Sequence, residues 1–257
     1  MNITFIAILC MLGLLAGMLL LLEIGRRIAL QRIARDPEGA RVGLGAVEGA
    51  VFGLIGLLLA FTFSGASSRF DTRRQLILEE ANAIGTAYLR LDLLPVGAQP
   101  PIRQAFRKYL DARLAVYQKL PDLQAAKAEL ERAATLQSEI WTYAVSACRE
   151  AAQPATMLIL PALNEMIDIT TTRMGALLMH PPPVIFAMLV VLMLAGSLLA
   201  GYGMAESKAR SWLHILGFAL SMSVAVYVIL DFEFPRVGLI RVDAFDQVLV
   251  DLRNSMK

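Results

Sequence analysis

The chain has 257 residues, 57% of them hydrophobic and 18% charged, with a mean hydropathy of +0.59. Soluble domains average about half apolar and a quarter charged, so the balance here points to a membrane protein. A net charge of +2, with no basic run interleaved with aromatics, argues against a nucleic-acid binder.

Taken in chain order, the first apolar stretch covers residues 3–22 and is long enough to cross a bilayer core of about 30 Å. Met1-Asn2 supplies no positive charge, and no small-x-small cleavage site follows Leu22. The stretch therefore reads as a permanent helix rather than a signal peptide. Residues 23–43 then read as a short loop carrying Arg26, Arg27, Arg32, Arg35 and Arg41.

The second span, residues 47–63, carries small residues at four-residue steps: Gly45, Gly49 and Gly53 on one line, Gly56, Ala60 and Ser64 on another. Such lines let helix backbones approach closely. Packing inside one subunit explains either line alone; a ring of identical helices explains both. Continuing the first line gives Leu57 and Phe61, which in a ring would form an apolar constriction that gates by dewetting and in a monomer would be core. From within this span, GLLLAFTFSGASSRFDTRR (residues 56–74) passes from apolar to charged with only Gly65 as a weak point, so one rod over residues 44–94 is expected.

Residues 65–183 are rich in Ala, Leu, Glu, Arg and Gln, a helical composition punctuated by prolines. Pro95, Gly97, Pro100 and Pro101 end the rod. Pro101 opens a helix to Leu120, and Asp122 caps another running to Gln153, with Pro154 and Pro161 near its end. Leu110, Leu114 and Tyr117, then Leu123, Leu130, Leu136 and Ile140, recur at three- and four-residue steps, as a bundle interior requires. Pro181-Pro182-Pro183 precedes the third span, residues 184–202, and the fourth covers residues 212–230. The loop between these two carries Lys208 and Arg210. By the positive-inside rule both short loops are cytoplasmic, with the N-terminus, the bundle and the C-terminal tail on the other side. Arg69, Arg73, Arg74, Arg236 and Arg241 near the opposite face weaken that asymmetry.

Little in the chain resembles a reaction centre: no GxxxxGK[ST], GxGxxG, GxSxG or HExxH motif occurs, and no catalytic residue, metal ligand or cofactor is expected. Glu79 and Glu80 read as solvated or salt-bridged carboxylates, with Arg73 and Arg74 within reach. Glu48, Asp231 and Glu233 lie near span ends and read as anchors or as partners of Arg41, Arg69 or Arg236, with a place on an ion pathway as the alternative. His180 and His214 read as interfacial or packed side chains. Cys10 and Cys148 have no ligand-type spacing, and a disulfide is not expected.

FTFSGASSRFDTRR (residues 61–74), EEANAIGTAYLRLDLLP (79–95), PALNEMIDITTTR (161–173), HPPP (180–183) and ILDFEFPRVGLIRVD (229–243) together resemble the bestrophin-like family of bacterial membrane proteins. True bestrophins, a more distant likeness, are four-span pentameric anion channels whose second helix lines the pore. Aligning Arg69-Phe70 with their Arg and aromatic pair places Gly53, Leu57 and Phe61 on the pore neck, with Gly53 widening or shifting it. The acidic clasp that binds calcium in the animal channels has no counterpart here. Bestrophins also keep their helical portion in the cytosol, opposite to what the Arg-rich loop implies.

The expected fold is an all-α membrane protein with four transmembrane helices and an extramembrane helical bundle between spans 2 and 3. Its parts are residues 1–64 (spans 1 and 2), 65–183 (bundle), 184–232 (spans 3 and 4) and 233–257 (tail). The resemblance implies a homo-oligomer, pentameric by analogy, in the bacterial inner membrane. It would pass inorganic ions, anions first, through a pore with Gly53, Leu57 and Phe61 at its constriction and Arg69, Arg73 and Arg74 at its mouth. The alternative is a non-conducting scaffold or sensor whose bundle binds a partner.

Overall fold

The computed structural model describes residues 3–36, 44–206 and 211–256; Arg41, Lys208 and Arg210 fall outside them. Among the described residues the chain is all-helical: α1 (Ile3–Ile33), α2 (Leu44–Arg90), α3 (Gln99–Gln118), α4 (Leu123–Cys148), α5 (Gln153–Leu178), α6 (Pro183–Gly203), α7 (Trp212–Glu233) and α8 (Gln247–Ser255). Four helical stretches are long and apolar enough to cross a membrane, and they contain the four apolar runs of the sequence.

The first helix runs on past its expected end. Residues 23–33, expected as loop, belong to α1, so Arg26, Arg27 and Arg32 are helical. Nothing stops the helix there: no proline occurs before Pro37, Ala29 is fully buried, and Glu23 pairs with Arg27 one turn on at 2.8 Å. α2 is the expected rod, 47 residues or about 70 Å long, and continues into a 3-10 turn at Leu91–Leu93.

The chain divides into two compact units, residues 1–68 with 180–234 and residues 69–179 with 235–257. In the first, Leu14, Met18 and Leu22 of α1, Ile55 of α2, Leu189 and Met193 of α6, and Ala219 and Val226 of α7 form the apolar core. α1 and α6 touch backbone to backbone. A Cβ added at Gly25 would lie 2.0 Å from the Leu198 carbonyl oxygen, and one at Gly201 would lie 2.0 Å from that of Leu22. Such an approach is open only to glycine and supplies the close packing that apolar helices need when water gives no drive to associate. Two buried hydroxyls are satisfied locally, Ser197 donating to the Met193 carbonyl at 2.7 Å and Thr62 to that of Leu58 at 2.6 Å, while Ser223 of α7 donates to Met18 Sδ of α1 at 3.9 Å.

The second unit is built on the latter half of α2 together with α3, α4, α5 and α8. Ile77, Ile84, Ile102, Phe106, Leu110, Ile140, Ile159 and Leu163 are buried at its centre. Asp122 caps α4, accepting from the Gln124 and Ala125 backbone N–H groups. α4 ends at Cys148, short of the expected Gln153, and Pro154 opens α5 instead of closing α4. A proline in the first turn loses nothing, since its absent N–H would have no helical partner there. Pro161 lies inside α5; the carbonyl it leaves free belongs to Met157, an exposed residue that water can reach. Leu110, Tyr117, Leu136 and Ile140 are buried as expected and Leu114 and Leu130 partly so, whereas Leu123, next to the cap, is 74% exposed. Arg253 of α8 grips Asp111 of α3 in a bidentate pair at 2.6 and 3.0 Å.

Candidate functional site

Along the first half of α2 one side is buried and the other bare. Ile55, Thr62 and Ala66 face the interior, and Ile55 Cδ1 would lie 2.7 Å from a Cβ at Gly196 of α6. Gly45, Gly49, Gly53, Gly56, Leu57, Ala60, Phe61 and Ser64 are all exposed, Leu57 to 52% and Phe61 to 68%. A Cβ added at Gly45, Gly49, Gly53 or Gly56 would meet no atom within 4 Å among the described residues. The small lines of α2 thus lie on the outside of the single chain. The intimate contacts within it fall at Gly25, Gly196 and Gly201, which the spacing argument did not single out.

Farther along the same helix, Arg69 is half-buried. Arg73 is buried and donates to the Ala176 carbonyl at 3.1 Å and the Met179 carbonyl at 2.8 Å, so its charge sits on the last carbonyls of α5. Arg74 pairs with Asp71 at 3.3 Å and lies over the Phe245 ring at 4.4 Å. In the first unit, Glu233 meets Nδ1 of His180 at 3.2 Å, and Arg236, in the second, pairs with Asp243 at 2.9 Å and with Asp246. Glu48 packs on Gly203 of α6.

The second unit holds a charged core. Glu80 and Arg113 are wholly buried and Arg173 nearly so. One Glu80 oxygen accepts from Arg113 Nε at 2.6 Å and the other from Arg173 Nη1. Arg173 reaches on to Asp246 at 3.3 Å, and Arg236 binds the same carboxylate at 3.0 Å. The Tyr117 ring lies 5.7, 4.2 and 4.4 Å from the guanidinium carbons of Arg113, Arg173 and Arg236. Burial alone would lower Arg113, but Tyr117 and Glu80 outweigh it and hold the guanidinium above its ordinary value. Burial likewise opposes Arg236, and Asp246 outweighs it. Glu80 is therefore salt-bridged, as one reading of it held, but to arginines distant in sequence rather than to Arg73 or Arg74.

Beside this cluster, Gln137 of α4 donates to the Tyr109 hydroxyl of α3 and to Thr170 Oγ1 of α5, both at 3.1 Å, and Tyr109 and Thr170 lie 3.1 Å apart. Burial pushes the Tyr109 phenol from 10.0 up to about 12. Below pH 10 both folded and unfolded chains keep this proton. Between 10 and about 12 only the unfolded chain releases it, so stability falls as pH rises, by at most about 1.4 kcal/mol per pH unit for one proton. Tyr109→Phe is expected to be less stable near neutrality yet to lose less between pH 10 and 12, as read by thermal unfolding of both proteins across that range.

All-helical among the described residues, with four stretches long and apolar enough to cross a membrane, the chain has the make-up of a multi-span membrane protein. Residues 8–244 match the Bestrophin-like domain, and the chain belongs to the bestrophin-like family. Two crystal structures of a bacterial bestrophin homologue from Klebsiella pneumoniae, each with one residue changed to alanine, share its fold. Both have a TM-score of 0.63 at 14% identity over 95% of this chain, covering 98% and 99% of theirs. No curated protein sequence matches it.

Proposed function

We propose that the chain is one subunit of an oligomeric ion channel whose pore is lined by α2. The observation that carries this is the bare face of that helix: Gly53, Leu57 and Phe61 recur every four residues and are exposed in the single chain. In a ring of subunits these side chains form an apolar constriction that opens by wetting. Gly45, Gly49, Gly56, Ala60 and Ser64 are the surfaces on which neighbouring helices seat. Arg69 and Arg74 add positive charge farther along the helix and raise the local concentration of anions, whereas Arg73 is buried on the carbonyls of α5, so anions are the favoured cargo. Membership of the bestrophin-like family supports a homo-oligomer, a pentamer by analogy with bestrophins. The bacterial inner membrane is the setting, with the short Arg-rich loops on the cytoplasmic side.

The test is halide flux from proteoliposomes of the purified protein, with the oligomer verified by crosslinking. Native protein is expected to conduct, and Phe61→Ala, which removes the bulk at the constriction, to conduct several-fold faster. Persistent absence of flux in both would overturn the channel and leave a membrane scaffold or sensor.

A further inference from the structure

We infer that the first unit carries a binding site for an anionic phospholipid in the cavity between α1, α6 and α7, a site separate from the α2 face and independent of conduction. The cavity has a volume of about 440 Å³, within the range of roughly 300–1,000 Å³ usual for small-ligand sites. Leu19, Leu22 and Ile215 give it apolar walls, and Arg26 and Trp212 also line it. Its position follows from the helix ends. α6 stops at Gly203 and α7 starts at Trp212, so the cavity lies at the termini of these two apolar helices, where a tryptophan suits the membrane–water boundary. From Leu19 to Arg26 along α1 is about 10 Å, so the lining passes from apolar to cationic in the direction of the span's end.

The charges select the occupant. Glu23 and Arg27, which also line the cavity, form an ion pair at 2.8 Å. Arg26 is half-buried, and no hydrogen bond or ion pair joins it to another described residue. The site therefore presents one uncompensated guanidinium beside an apolar wall. A phosphodiester supplies the bidentate acceptor that a guanidinium fits, and an acyl chain covers Leu19 and Leu22. With the Glu23 carboxylate already paired, a zwitterionic headgroup finds no matching anion for its ammonium among the described residues that line the cavity, so the net charge favours an anionic lipid.

Full-length protein in detergent, titrated with phosphatidylglycerol in mixed micelles, tests this by native mass spectrometry and thermal unfolding. One lipid bound per subunit and a dose-dependent rise in Tm are expected. Arg26→Gln should weaken binding about tenfold or more, the worth of a charge-assisted contact, and Leu19→Trp should weaken it by filling the cavity. Equal binding of phosphatidylcholine, the same Tm shift from inorganic phosphate alone, or full phosphatidylglycerol affinity in both variants overturns the site. So do lipid-independent crosslinks from position 26 to a second copy of the chain. Should Arg26→Gln fail to fold, Leu19→Trp alone decides, because it leaves every charge in place.

Discussion

Glu80→Ala is expected to destabilise the protein by about 3–5 kcal/mol, the usual consequence of removing one member of a buried ion pair. The wild-type carboxylate lies between Arg113 and Arg173 with no exposure of its own, and each oxygen accepts from one guanidinium. Alanine leaves two buried cations facing each other across a space that holds no counter-charge. The direct measurement is the fraction of detergent-solubilised protein that survives a heating series on size-exclusion chromatography. A second variant separates charge from shape: Glu80→Leu combined with Arg113→Met removes a whole pair and is expected to be milder than Glu80→Ala alone. A double variant that is worse than the single one would mean that the network contributes net attraction rather than mutual neutralisation.

The second large effect is expected at the α1–α6 contact. In Gly201→Val the first added carbon lies 2.0 Å from the Leu22 carbonyl oxygen and 2.7 Å from its Cα, so the helices must separate. The obstacle is backbone and cannot change rotamer, which places the loss at or above about 3 kcal/mol, the upper end for overpacking. Gly13→Ala on the same α1 helix is the control. Nothing lies within 4 Å of its added carbon among the described residues, and alanine favours a helix over glycine by about 1 kcal/mol. The same heating assay should therefore show Gly201→Val falling sharply and Gly13→Ala unchanged or improved. A neutral Gly201→Val would show that α1 and α6 are not in contact at that crossing.

What was legible in the sequence was local. The apolar runs, the unbroken α2 rod, the Asp122 cap and the proline-opened α3 each depend on signals within a few residues. Family membership was legible from motifs spread over the chain. The overrun of α1 was not, because charge marks where a bilayer ends rather than where a helix ends. Pro154 misled because a proline opens a helix as readily as it closes one, and Pro161 because α5 continues through it beside the exposed Met157. The charged core draws on residues 80, 113, 173, 236 and 246, and no periodicity joins segments so far apart. One hint was available: Arg113 shares a helical stripe with Tyr109, Leu110, Val116 and Tyr117, all buried, and an arginine at that phase requires a buried acid. For α2, the glycine lines were visible, but spacing alone could not say that they face outward.

The pairing of Arg173 and Arg236 with Asp246 also bears on how the protein is made. Glu80 leaves the ribosome before Asp246, with α6 and α7 synthesised between them. The second unit lacks the Asp246 partner of Arg173 until both later apolar helices have been made, so its charged core is completed after them. During that interval Arg113 and Arg173 are present with Glu80 but without Asp246. The same charges that knit the finished unit thus delay its closure, tying completion of this unit to the segment that follows α7.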